Sequence, residues 1–253
     1  FITGKGSEIL EKIEGIEFDG KKLKVRYFDQ YGSEISRPDY SVSTDVTAES
    51  VISKYIKSIG GAEKLNSISS IEVKATANLQ GTVLEMYSLK NNQNQSLMTM
   101  TAMGMTLVKS VFNKYQGYNE INGQRIPLTD EELEQAIINS ALFSELNFDL
   151  ETIELIGTSV VNDEKAYEIK ITDNKSIFYS AETGLKLKEF ESQEVDGNLI
   201  TGEVFYKEYE EVDGILIPSE INQVSASIPV PGGLTFKTNL IKLNVKTSDS
   251  DFN

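Results

Sequence analysis

The pattern of apolar and polar residues changes along the chain and predicts where helices and strands lie. After Thr47, apolar residues recur at the spacing of a helical turn, and Gly60-Gly61 predicts the end of this helix. From Ile71 onward, apolar and polar residues alternate, as in strands with one buried face. A second helix is predicted where Thr129-Asp130-Glu131-Glu132 has the form of a capping box. The apolar stripe of the first helix comprises Val51, Ile52, Tyr55, Ile56 and Ile59.

Strands and tight turns make up most of the remaining sequence. Turn signals such as Asn122-Gly123 and Asp213-Gly214 separate consecutive strands, which predicts an antiparallel meander of roughly ten or more strands. Because so large a sheet must curl or be covered, we expect an α+β fold, a curved half-barrel covered by two helices. The predicted strands are residues 71–79, 83–89, 95–101, 105–113, 114–121, 151–159, 165–172, 175–180, 185–195, 199–209, 215–226 and 234–246.

The first forty residues have a different organisation from the rest. Ser7 is a suitable N-cap for a short helix, and residues 22–28 alternate like an edge strand. A strand-helix-strand unit of about 35 residues cannot bury its own apolar face. Residues 1–40 are therefore predicted to be the tail of an upstream domain and a linker, and residues 41–253 the main domain. The alternative is an N-terminal arm that packs on the main domain.

Composition restricts the chemistry that this chain can perform. The 253 residues contain no histidine and no cysteine, which excludes histidine-dependent nucleophilic triads, thiol nucleophiles and disulfides. The formal net charge of -15 disfavours binding to nucleic acid or to an anionic membrane surface. No apolar run approaches the ~18–20 residues that a membrane-spanning helix needs. Carboxylates, lysine, tyrosine and oxygen-ligated metals are the catalytic chemistry that remains. No motif assigns such a role, so we expect no catalytic residue, metal or cofactor in this chain.

The methionines are the best candidates for a binding site. All five lie between positions 86 and 105, and Met98 and Met100 share one face of a predicted strand. Methionine is flexible and polarizable, so it suits the wall of a hydrophobic cavity. Ordinary core filling beneath a helix is the alternative, and the pattern favours it over a cavity wall. The predicted cavity-lining residues are Met86, Met98, Met100, Met103, Met105 and Phe112.

Two acidic segments lead to further structural expectations. Glu208, Glu210 and Glu211 predict a charged strand at the edge of the sheet, where charge discourages pairing with other chains. Asp249 and Asp251 lie in a terminal segment that we expect to fray.

Three motifs and the closing residues of the main domain carry a family resemblance. They are the helix at residues 51–65, the hairpin at 179–186 (YSAETGLK), the strand pair at 209–218 (YEEVDGILIP), and Ser250-Asp251-Phe252. As a set they resemble bacterial outer-membrane lipoprotein-sorting proteins of the LolA and LolB type. The resemblance implies an unclosed antiparallel β-barrel lidded by helices, with an apolar cavity for acyl chains. It also implies a periplasmic or outer-membrane-associated location in a Gram-negative bacterium.

The N-terminal segment carries a second resemblance. Residues 2–10 and 25–35 look like the last strand, helix and strand of a pitrilysin- or insulinase-like zinc peptidase domain. This resemblance implies that the chain is the C-terminal, non-catalytic piece of a zinc metallopeptidase, with zinc in the upstream domain. The H-x-x-E-H zinc motif of that family is absent here, so no catalytic residue is carried over.

These observations leave three functional hypotheses. The main one is a periplasmic domain of a predicted zinc peptidase that binds a lipid, lipoprotein or lipopeptide, or assists substrate access. Its partner would be the upstream peptidase domain of the same polypeptide. The alternatives are a stand-alone periplasmic lipid or lipoprotein carrier and a structural assembly domain.

Overall fold

The computed structural model describes residues 42–253, apart from residues 196, 197, 227 and 229, together with four short strands nearer the start of the chain. These strands form two antiparallel hairpins, β1 (Glu17–Phe18) with β2 (Lys21–Lys22) and β3 (Tyr27–Phe28) with β4 (Glu34–Ile35). The single strand predicted over residues 22–28 thus contributes its two ends to different hairpins. The helix predicted after Ser7 lies outside the described residues. The assignment of residues 1–40 to an upstream domain stays a prediction.

One antiparallel sheet of thirteen strands dominates the described part of the chain. Its strands are β5 (Ser70–Leu79), β6 (Thr82–Asn91), β7 (Ser96–Ala102), β8 (Met105–Phe112), β9 (Gly117–Ile121), β10 (Gln124–Pro127), β11 (Glu154–Val161), β12 (Glu164–Thr172), β13 (Lys175–Ser180), β14 (Lys186–Val195), β15 (Asn198–Val212), β16 (Ile215–Ser225) and β17 (Leu234–Leu243). The order across the sheet is β10-β9-β8-β7-β6-β5-β17-β16-β15-β14-β13-β12-β11. Because β10 and β11 each have one neighbour, the sheet is unclosed, which confirms the predicted architecture.

The first predicted helix is α1 (Ala48–Ser58), and it packs on one face of the sheet, termed the inner face below. Thr47 and Ser50 form a capping box at its start, and Gly60, at φ +137°, follows its C-cap. Its buried side chains include Val51, Ile52 and Tyr55. They contact a cluster that also contains Ile177, Tyr179, Ile215 and Ile217 from β13 and β16. The short helix α2 (Ala62–Asn66) follows directly.

The motif hairpins hold α1 in place through their carbonyl oxygens. Lys54 Nζ donates to the carbonyls of Ala181 and Glu182, both at 2.8 Å. The Ser58 hydroxyl donates to the carbonyl of Thr183 at 2.8 Å. The Leu216 amide, in the second motif, donates to the carbonyl of Ile59 at 3.0 Å. Both motif hairpins therefore contact the helix that occupies the inner face.

The second predicted helix is α3 (Asp130–Asn139), capped by the reciprocal Thr129 and Glu132 bonds that the sequence predicts. A single 3₁₀ turn, η1 (Ser144–Asn147), follows it before the chain enters β11. Leu133, Ala136 and Ile137 are only half-buried. The cover that α3 provides is consequently much looser than that of α1. None of the described helices is long and apolar enough to cross a membrane.

The C-terminal segment does not fray, so that expectation is wrong. Residues Asp249–Phe252 form the 3₁₀ turn η2, whose start is capped by reciprocal bonds between Ser248 and Asp251. Phe252 is fully buried on the outer face of the sheet, in a cluster with Leu89, Val111 and Tyr118. Asn113 Nδ2 donates to the carbonyl of Phe252 at 3.1 Å. The buried aromatic ring and this bond anchor the end of the chain.

The predicted charged edge is also wrong. Glu208, Glu210 and Glu211 lie on β15, which pairs with β14 on one side and β16 on the other. All three side chains are exposed. Charge along this strand marks residues that face solvent and does not mark an edge, because a strand within an antiparallel sheet can have one solvated face.

Candidate functional site: a cavity between α3 and the sheet

A cavity of about 1100 Å³ lies between the inner face of the sheet and the segment that contains α3 and η1. Its volume is slightly above the roughly 300–1000 Å³ that is usual for small-molecule sites. Apolar side chains of the covering segment and of the sheet contribute much of its wall: Ile71, Ile137, Ile138, Ala141, Leu142, Phe143, Phe148, Ile153, Ile171, Ile177, Leu216 and Ile217. The cavity can therefore accept a long apolar group.

A buried ion-pair network forms one of the polar parts of the cavity wall. Lys186 Nζ lies 2.6 Å from Glu145 Oε1 and 2.8 Å from Glu189 Oε1. Glu145 belongs to η1, whereas Lys186 and Glu189 lie on β14. The network therefore connects the covering segment to the sheet. The side chains of Lys186 and Glu145 are only 9% and 3% exposed, so this pair lies in a low-dielectric environment.

Tyrosine hydroxyls complete the hydrogen bonding of the network. Tyr179 donates to Glu145 Oε1 at 3.2 Å, and Tyr206 donates to Glu189 Oε1 at 2.9 Å. Tyr209 donates to the carbonyl of Lys186 at 2.8 Å. Tyr55 from α1 lies beneath the ammonium group, 5.6 Å from Lys186 Nζ to the ring centroid. Each carboxylate of the network therefore accepts bonds from both the lysine and a tyrosine.

The titration behaviour of the network argues against proton-transfer chemistry. Burial opposes the charge of Lys186, but Glu145 and its neighbours outweigh burial and hold the pKa of this lysine well above its usual range. Burial likewise opposes the charge of Glu189, and Lys186 outweighs it, so the pKa of this carboxyl is lowered. Burial raises the pKa of Tyr206 well above its usual range. General acids and bases need pKa values near the working pH, and these shifts point away from neutrality.

The predicted methionine site is only partly brought together. Met86 and Met100 lie opposite each other on β6 and β7, and both pack in an apolar cluster with Ala75 and Phe236. Met98 pairs with Ser88, which alternates with Met86 along the same face. Ile71 packs with the cluster around α1, so it lies on the inner face, and it pairs with Lys90 of β6. Ser88 and Met86 lie on the same face of β6 as Lys90, because side chains two residues apart share a face. Strand register thus places these three methionines on the inner face.

Of the other three predicted residues, one lies on the inner face and two are exposed at the turn between β7 and β8. Phe112 pairs with Ser96, so it also faces the inner side. Met103 is 80% exposed in the turn between β7 and β8, where it lines a small pocket of about 400 Å³. Met105 follows that turn and is also exposed. The described lining of the large cavity includes none of the six predicted residues. Their role in ligand binding stays a prediction.

The residues that do line the cavity left weak signals in the sequence. Ile137, Ala141 and Phe143 continue the apolar spacing that follows the capping box at Thr129, although α3 itself ends at Asn139. Lys90 follows Leu84, Met86 and Ser88 at strand spacing, so a charged residue occupies an inward position. Glu145 has no such signal, because the short 3₁₀ turn that positions it shows no periodic pattern. No group of three or more metal-ligating side chains lies together in the part of the chain that the structure describes.

Two solved structures share this architecture. A LolA superfamily protein from Nitrosomonas europaea aligns with a TM-score of 0.52 at 16% identity, covering 82% of this chain and 98% of that one. The chain has a LolA-like fold. A DUF1329 family protein from Desulfovibrio piger aligns with a TM-score of 0.51 at 13% identity, covering 81% of this chain and 96% of that one. No protein-family model and no curated protein sequence matches the chain.

Proposed function

We propose that this protein is a non-catalytic binding or carrier protein for long-chain amphiphiles, either lipids or lipid-modified proteins. The observation that carries the proposal is the cavity of about 1100 Å³ between the sheet and the loosely packed helix α3. The LolA-like fold supports it, since the resemblance of the sequence motifs to lipoprotein-sorting proteins implies a cavity for acyl chains. Burial of each methylene group contributes about 0.8 kcal/mol, so the burial of its apolar surface would drive the binding of an acyl chain.

The location and wider context form part of the same proposal. We place the protein in the periplasm of a Gram-negative bacterium, either free or associated with the outer membrane. The absence of cysteine and the LolA-like fold are compatible with this location. The upstream zinc peptidase domain stays a prediction, because only four short strands of the first 41 residues are described. Sequencing the gene upstream of Phe1 tests it, since that domain requires an H-x-x-E-H motif.

Titration with the neutral fluorescent probe N-phenyl-1-naphthylamine tests the binding function. We expect saturable enhancement of fluorescence, which hexadecanol reverses by competition. The variant Ile137→Glu/Ile138→Glu places two charges in the cavity wall on α3, where neither residue is fully buried. Full burial of an apolar side chain contributes about 1.5–3 kcal/mol, and this variant loses two such side chains from the wall. We therefore expect the affinity for the probe to fall at least about tenfold.

The matched control makes the same chemical change far from the cavity. Leu199 and Ile200 on β15 are 71% and 39% exposed and do not line the cavity. Leu199→Glu/Ile200→Glu should bind the probe like the wild type. The proposal fails if the wild type binds neither probe nor hexadecanol, or if both variants lose affinity equally. The Met98→Gln/Met100→Gln variant asks in addition whether the ligand reaches the methionine cluster.

A further inference from the structure

Lys90 is the one lysine of the cavity wall whose position the ion-pair network does not explain. It lies on β6, where strand register directs it to the inner face opposite Ile71 and Ser96. It lines the cavity together with Lys175 and Lys186. An inward lysine on a strand is unusual, because charged side chains are buried only when they are paired.

The other charged groups inside the cavity are already paired. Lys186 contacts both Glu145 and Glu189, and Lys175 Nζ lies 3.9 Å from Glu189 Oε2. Lys90 has neither an ion pair nor a side-chain hydrogen bond with any residue that the structure describes. The lining thus contains three lysines and four carboxylates, and Lys90 is the lysine that pairs with none of them. The remaining acidic residues of the lining, Asp149 and Glu191, are exposed at its rim.

The environment of Lys90 leaves its charge only partly compensated. Burial lowers the pKa of Lys90, the carboxylate of Glu189 opposes this effect, and the ammonium of Lys186 adds to it. A partly desolvated cation without a partner costs free energy, and an anion that enters the cavity recovers it. This unpaired positive charge lies in a chain whose formal net charge is -15.

We propose that Lys90 binds the headgroup of an anionic amphiphile, a carboxylate or a phosphate, whose acyl chain fills the cavity. This assignment rests on the proposed function and specifies the chemical class of its ligand. The acyl chain of the ligand contacts Ile138, Phe143 and their apolar neighbours, and its headgroup lies at the inner wall next to β6. An amphiphile with an uncharged headgroup would leave the charge of Lys90 without a partner, so the site selects against it.

A pair of ligands with the same chain and different headgroups tests the assignment. Hexadecanoate and hexadecanol compete with N-phenyl-1-naphthylamine at neutral pH, in the wild type and in Lys90→Met, which keeps the side-chain length and removes the charge. Since hydrogen bonds to charged groups are worth about 1.5–3 kcal/mol, Lys90→Met should lower the affinity for hexadecanoate about ten- to hundredfold. Its affinity for hexadecanol should stay unchanged. Lys90→Arg should retain tight binding of hexadecanoate.

The control variant removes a lysine charge from the opposite face. Lys242 on β17 is exposed, and strand register places it opposite Glu72 on the outer face. Lys242→Met should bind both ligands like the wild type, which separates a local contact from a change in net charge. Hexadecyl phosphate should depend on Lys90 as hexadecanoate does, whereas inorganic phosphate alone should not displace the probe. Displacement by inorganic phosphate would identify a free anion as the ligand and would overturn the assignment.

The outcomes distinguish the two proposals. If hexadecanol binds and hexadecanoate binds equally to wild type and Lys90→Met, the headgroup assignment is overturned and the acyl-chain cavity stands. If neither ligand binds to any variant, the proposed function fails and the assignment fails with it. Thermal unfolding of each variant shows whether a loss of affinity reflects a loss of folding, and Lys90→Arg provides a second reading if Lys90→Met is unstable.

Discussion

The buried ion-pair network is expected to stabilise the fold strongly, and Lys186→Met tests this. Methionine retains most of the side-chain volume but leaves Glu145 and Glu189 without their shared ammonium group. Because the Glu145 side chain is only 3% exposed, solvent cannot replace the lost contact. Removing one partner of a buried pair costs about 3–5 kcal/mol. That is a large part of the roughly 5–15 kcal/mol that holds a typical protein folded.

An exposed ion pair provides the comparison. Lys237 Nζ lies 2.9 Å from Glu220 Oε2, a separation close to that in the buried network, but its side chain is 71% exposed. Because water and salt screen exposed ion pairs, Lys237→Met should change stability little. Urea unfolding followed by far-ultraviolet circular dichroism gives the free energy of unfolding of each variant.

The result that refutes this reasoning is an equal cost for both substitutions. A triple variant, Lys186→Met with Glu145→Gln and Glu189→Gln, checks the cause, because it removes the stranded carboxylate charges as well. We expect it to recover most of the stability lost in Lys186→Met. Failure to recover would show that the lost hydrogen bonds of the ammonium group are responsible, and not the unpaired charge.

Three further predictions concern the pH dependence, the C-terminus and the end of α1. Since the pKa of Glu189 is lowered, its contribution to stability is present above the usual carboxyl pKa of about 4.3 and is lost as pH falls through the lowered value. When the free energy of unfolding is measured at decreasing pH, Glu189→Gln should therefore lose less of it than the wild type does. Phe252→Ala should reduce the free energy of unfolding by about 3–5 kcal/mol, and Phe252→Leu by clearly less, because the ring is fully buried; equal urea midpoints for wild type and Phe252→Ala would contradict its anchoring role. Gly60→Ala should cost about 1–3 kcal/mol, since its Cβ would lie 3.1 Å from the carbonyl oxygen of Gly214 at a φ of +137°. Gly202→Ala is the control, because its φ lies outside the left-handed region and its Cβ meets no atom within 4 Å.

The sequence predicts most elements of this fold because their signals are local. The strand predicted over residues 175–180 is β13 with the same bounds, and the alternation that defines it depends on side-chain spacing alone. The turn at Asn122-Gly123 joins β9 and β10, and both residues have positive φ, as a primed turn requires. The capping box at Thr129 marks the start of α3. Each of these signals lies within a few residues of the element that it predicts.

Features that depend on distant partners could not be predicted in this way. The pairing of β17 with β5 joins the two meanders of the sheet, and nothing in either strand specifies the other. Phe252 is a single apolar residue in a polar segment, so it has no periodicity to indicate burial. Lys186 and Glu189 are three residues apart on β14, but the third member of their network, Glu145, comes from η1. Only the folded chain brings these charges together.

The two helices cover the inner face in different ways, and this difference explains where the cavity lies. The apolar stripe of α1 is buried against β13 and β16, and the motif hairpins bind the helix through Lys54 and Ser58. That part of the inner face is therefore filled. The apolar residues of α3 are too few and too loosely packed to fill the space beneath it, whereas the η1 segment that follows is held by Glu145 and by apolar side chains such as Leu146 and Phe148. An unfilled apolar volume beside a weakly packed helix is destabilising unless a ligand occupies it. The same deficit in packing that limits stability would therefore favour binding of the proposed amphiphile.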